Sequence, residues 1–88
     1  MRTEVMDMAI RMEHVLQAND DKEHWSKSSQ NYLEHLVRTK HFDKLKYAVC
    51  ANDHAAVIKQ AVDISNYCLM LVDNAARLQS RTNNTGEK

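Results

Sequence analysis

The sequence predicts an all-α fold, and three observations predict it. There is no proline and a single glycine, Gly86, so hairpins and tight turns have almost no punctuation. Ala, Leu, Met, Lys and Glu, which lose little on entering a helix, are abundant. Apolar residues recur at steps of three and four in three separate segments. The expectation is one domain over residues 1–80, a small bundle of three main helices, followed by a polar, unpatterned tail at 81–88 expected to be disordered.

The first helix is predicted from about Thr3 to Gln17, with Val5, Met8, Met12, Val15 and Leu16 on one stripe. The polar run Asn19–Ser29 breaks that pattern. Its one large apolar residue, Trp25, is read as an indole anchor for the loop, and Ser26, Ser28 and Ser29 supply helix caps. The second helix should run from about Ser29 to Cys50 on a stripe of Leu33, Leu36, Val37, Leu45 and Ala48. At 100° per residue, His41 and Lys44 fall inside this stripe, a local conflict of the kind that marks function or strain.

A short connection at Ala51 and Asn52, capped by Asn52 or Asp53, leads to a third helix reaching about Ser80. One face carries Val57, Ala61, Ile64, Cys68, Val72 and Ala75. A second carries Tyr67, Met70 and Leu71 around Gln60, Asp63 and Asn74. A helix apolar on two sides has to be covered on two sides, and the second face is the one expected to meet another subunit.

Eighty-eight residues bury a modest fraction of their surface, so a lone chain of this length is marginal without a staple or a partner. Two cysteines, Cys50 and Cys68, are too few for a disulfide scaffold; both are expected to be inert free thiols in or near the core. Five histidines form no paired zinc pattern, and His14, His35 and His54 are expected in solvent. Formal charge balances at twelve basic and twelve acidic residues, so nothing in it advertises nucleic acid or an anionic membrane. No apolar stretch is read as long enough to span a bilayer, and the expected location is the cytoplasm.

Three segments resemble the small MazG-like nucleoside triphosphate pyrophosphohydrolases, particularly the short versions found in phages. Ala18, Asn19, Lys22 and Trp25 are similar to a family stretch reading A-N-x-H-K-G-G-W. Lys59–Asn74, K-Q-A-V-D-I-S-N-Y-C-L-M-L-V-D-N, resembles the family run K-E-A-A-D-V-A-N-F-A-M-M-I-A-D-N, and Leu33, Leu36, Leu45 and Ala48 fit the connecting helix. The resemblance implies a bundle completed by oligomerisation into a four-helix-type core, as a homodimer or a tetramer of two dimers.

The family's chemistry uses two E-x-x-[ED] pairs whose carboxylates hold magnesium for triphosphate hydrolysis. Carried over by position, the first pair falls on His41 and Lys44 and the second on Gln60 and Asp63, so Asp63 alone is retained. The loop glycines are replaced by Glu23 and His24, and the loop histidine by Asp21. One carboxylate, one amide, one ammonium and one imidazole make a poor cage for magnesium.

The expected function is therefore that of a pseudoenzyme without catalytic residues or cofactor, a phage-encoded binding protein that blocks a host defence or regulatory protein. An alternative is metal-independent nucleotide or phosphate binding by His41, Lys44, Gln60, Asp63, Tyr67 and Trp25. Another is residual magnesium-dependent hydrolysis, with Asp63 helped by Glu34, Asp43 or Asp73.

Overall fold

The computed structural model describes residues 1–86, and all of the regular structure among them is helical. α1 is Thr3–Ala18, α2 Gln30–Leu36, α3 Phe42–Cys50 and α4 His54–Gly86. A 3₁₀ turn at Trp25–Lys27 interrupts the loop after α1, and a π turn at Val37–His41 joins α2 to α3 without a break. The elements follow local chemistry. Ser29 caps α2 by accepting from the Tyr32 N–H at 3.1 Å. After α3 the chain reverses in a Schellman motif, Asp53 N–H to Ala48 O and Asn52 N–H to Val49 O, with Asn52 at φ 55°. Asp53 then caps α4, its Oδ1 accepting from Ala56 N–H at 3.1 Å.

The π turn settles the conflict in the second helical segment. A π turn holds one residue more than an α turn, and here the Phe42 N–H reaches back five residues to Val37 O. In an unbroken α-helix Lys44 would follow Leu33, Val37 and His41 along the stripe. The extra residue moves Leu45 into that slot, half-buried, and turns Lys44 out into solvent. Lys44 is therefore not in the core stripe that 100° spacing assigns it.

α4 is the spine. The Asn66 amide donates to Met12 O at 3.2 Å, while the Trp25 turn bonds to Asp73 and Asn74, so α1 runs parallel to α4. Gln30 donates to Leu71 O and His41 meets Gln60, so α2 and α3 run antiparallel to it. Among the described residues α1 lies against α4 and against no other helix. The core is correspondingly thin: Leu33, Val37, Ala48 and Val62 are its buried apolar residues. Three buried amides, Gln60, Asn66 and Asn74, line the inner side of α4.

The two faces of α4 are not covered as the sequence expectation has it. The face with Gln60, Tyr67, Met70, Leu71 and Asn74 is covered within the chain, because its amides bond to His41 and the Trp25 turn. The other face is half-buried at Val57, Ala61 and Ile64 and open beyond them: Val72 is 68% exposed, and Cys68 and Ala75 are exposed. Cys50 is exposed as well, so neither thiol is a core residue.

Two further expectations are corrected. No residue in 81–86 stops the helix before Gly86, so α4 continues through most of the segment read as a disordered tail; Glu87 and Lys88 lie outside the described residues. His54–Arg81 is also long and apolar enough to cross a membrane, by length and composition alone. A radius of gyration of 15.4 Å, against about 12 Å for a compact domain of this length, records the projecting spine.

Candidate functional site

Because α1 and α2 both pack on α4 and not on each other, a trough of about 680 Å³ lies between them. The end of α1 and the Trp25 turn form one wall, Tyr32, Leu33 and Leu36 the other, and Lys59, Asp63, Asn66, Tyr67 and Met70 the floor. Such a volume lies within the range of small-molecule sites.

His41, Asp63, Tyr67 and Trp25 all line this trough. His41 Nδ1 lies 3.0 Å from Gln60 Oε1, so with the amide oxygen facing it the ring donates from Nδ1. Its ring centroid is 5.3 Å from that of Tyr67 at a 41° tilt. Gln60 itself stands behind His41, buried and outside the lining. Lys44 is exposed and does not reach the trough. Burial, then the nearby charge of Asp63 and then Tyr32, hold the Tyr67 phenol above its ordinary pKa.

The Trp25 wall is held from below. Its indole N–H donates to Asp73 Oδ2 at 2.9 Å, and its carbonyl accepts from the Asn74 amide at 3.2 Å. Arg77 closes the cluster by donating to both Asp73 Oδ2 and Asn74 Oδ1. The indole bond, supplemented by Arg77, holds the Asp73 carboxyl below the usual range. His24, which stands where the family resemblance has glycine, caps the turn: its Nδ1 accepts from the Ser26 N–H at 3.1 Å.

The implied magnesium ion can be tested against this donor set. Asp63 Oδ2 is paired with Lys59 Nζ at 3.0 Å, His41 is bonded to Gln60, and Lys44 faces away. Glu34 is paired with Arg38 on the outer side of α2, Asp43 is exposed, and Asp73 is held by Trp25 and Arg77. Among the described residues no group of three or more His, Cys, Asp or Glu converges. These side chains do not fit a hard cation that wants several oxygen ligands.

Two residues of the site escaped the sequence reading. Lys59, four before Asp63 on α4, neutralises it. Asn66 is 3% exposed and lines the trough; its Nδ2 donates to Met12 O, and its Oδ1 has no hydrogen-bond partner. The signal was present: Asn66 lies three residues after Asp63, on the same face of an otherwise apolar helix. No family model matches the chain, and neither a curated protein nor a solved structure matches it.

Proposed function

We propose that this chain is a binding protein of the cytoplasm, a MazG-like helical frame without the family's hydrolytic centre, whose trough takes a small ligand of nucleotide type. The observation that carries this reading is the trough itself, about 680 Å³, with Asn66, Lys59 and the His41–Tyr67 pair on its surface. Asn66 gives that floor a polar residue amid apolar neighbours, and its amide is fixed by the bond to Met12 O. The tilted His41–Tyr67 pair and the Trp25 wall supply flat surfaces for a ring. Lys59 and Lys22 are the ammonium groups at the trough, in place of Lys44. Nucleotides are the ligand class that the family resemblance supports.

Calorimetry with nucleosides, nucleoside monophosphates and nucleoside triphosphates, with and without magnesium, tests this. Binding without magnesium and without pyrophosphate release is expected, weakened by Asn66→Ala and unaffected by Lys44→Glu. Pyrophosphate release abolished by Asp63→Asn would replace the proposal with residual hydrolysis; no binding by any of the panel would end it.

A second reading, an inhibitor of a host defence or regulatory protein, is favoured by a different observation. Val5, Met6 and Ile10 on α1 are each at least half exposed. Capture of one host protein by the wild type and not by Ile10→Glu supports this second reading.

A further inference from the structure

We infer that the cavity on the far side of the Trp25 turn from the trough is an anion site that takes a phosphate group, held by Lys27, Arg77 and Arg81 together with the hydroxyls of Ser28 and Ser29. The inference is independent of what the trough holds.

The sequence brings these groups together from two places. Trp25–Lys27 is a single 3₁₀ turn, and neighbouring residues on so tight a turn point to different sides. Trp25 lines the trough, whereas Ser26 and Lys27 line a second cavity of about 670 Å³; Ser28 belongs to the wall between the two. Across this cavity Asn74, Arg77 and Arg81 follow one another on α4 at steps of three and four, which puts them on one face. Among the described residues three cations line the cavity and no carboxylate does. Asp73 stays outside the lining, its Oδ2 held between Arg77 and the indole N–H.

The donors have capacity for a ligand. Lys27 Nζ makes no ion pair among the described residues. Arg77 spends one N–H on Asp73 Oδ2 and one on Asn74 Oδ1, and a guanidinium has five. Its side chain is 45% exposed, and it lines the cavity. Ser29 Oγ accepts from the Tyr32 N–H at 3.1 Å, which leaves its O–H to donate. An ammonium, guanidinium forks and hydroxyls around one space suit an anion with three or more acceptor oxygens, and phosphate is the biological group of that kind. A carboxylate, with two oxygens, would use fewer of these donors.

The turn also reports on the cavity. Arg77 bonds to the Asp73 oxygen that receives the Trp25 indole N–H, and Trp25 is the one tryptophan of the chain. A phosphate drawing on Arg77 weakens its hold on Asp73 and changes the surroundings of the indole.

Inorganic phosphate titrated into the full chain, with ionic strength held constant by sodium chloride, tests the proposal. The expected result is a saturable change in Trp25 emission, with half-saturation at about 1 mM or below, the affinity that two charge-assisted hydrogen bonds supply. Calorimetry should count one phosphate per chain. Lys27→Gln should weaken binding about tenfold and leave the melting curve unchanged, because the ammonium holds nothing else in the fold. Lys27→Arg should restore it, and Lys44→Gln, on exposed α3, should bind as the wild type does. A response that chloride alone reproduces overturns the proposal, as does one that never saturates or one that Lys27→Gln leaves intact. So does emission that phosphatidylglycerol vesicles shift and soluble phosphate does not, which would assign these cations to a lipid surface.

Discussion

Replacing Asn66 with leucine should make this protein more stable and worse at binding. The native amide gains a net 0.5–1.5 kcal/mol or so from its bond to Met12 O, while its unpartnered oxygen costs about 1–3 kcal/mol. Leucine gives up the first and removes the second. Met12 O lies within α1, whose own hydrogen-bond ladder still satisfies it, so no new orphan is created. The site is 3% exposed, and leucine's methyl groups add apolar burial there. A net gain of about 1–2 kcal/mol follows, raising the melting temperature by roughly 5–10 °C in a domain this small. Thermal unfolding by circular dichroism measures the first quantity and nucleotide calorimetry the second, where affinity should fall about tenfold as a branched apolar side chain replaces the amide on the trough floor. A variant that melts below the wild type and binds nucleotide unchanged would refute the reasoning, because the oxygen would then be no cost and the residue no part of the ligand site.

The remaining expectations concern the loop anchor, the phenol and the core. Asp73 has a depressed folded pKa, so its stabilising contribution is present above the unfolded value of about 3.9 and is lost as pH falls through the folded one. Acid should therefore release the indole and shift Trp25 emission to the red; a transition unchanged in Asp73→Asn would exclude this link. Tyr67 has a raised folded pKa, so its contribution is full below the ordinary value of about 10 and fades as pH rises through the folded one. Tyr67→Phe should flatten the alkaline loss of stability, and an identical slope in urea titrations at alkaline pH would count against it. Leu33→Ala, in the thin core, should cost about 2–5 kcal/mol. Tyr47→Ala, 71% exposed, should stay within about 0.5 kcal/mol, and equal costs in chemical denaturation would contradict the burial pattern.

Much of the frame was legible from local chemistry. The helix starts and stops came from Ser29, Asn52 and Asp53, whose side chains and backbone preferences act within three or four residues of themselves. The Trp25 anchor was legible too, because an indole alone in a polar loop has to pack back onto helices. Lys44 was misplaced because the projection assumed a constant α-helical angle, and the π turn at Val37–His41 adds a residue that this spacing cannot reveal. The covered side of α4 was misjudged for a related reason. Apolar content alone pointed to Val57, Ala61 and Val72 as the inner side, yet the amides of Gln60, Asn66 and Asn74 found partners in His41, α1 and the Trp25 turn and drew the polar side inward.

The amino-acid sequence by itself determined that this chain is helical and where its helices break, because those outcomes depend on propensity, caps and spacing within a few residues. It also determined how little carboxylate the candidate site holds, since charge is a property of composition. The tertiary structure alone decided which side of α4 became the interior, which histidine and amide met, and that α1 and α2 stand apart to leave a trough. Those outcomes depend on hydrogen bonds between residues 19 to 54 positions apart, and no local pattern records which donor will reach which acceptor.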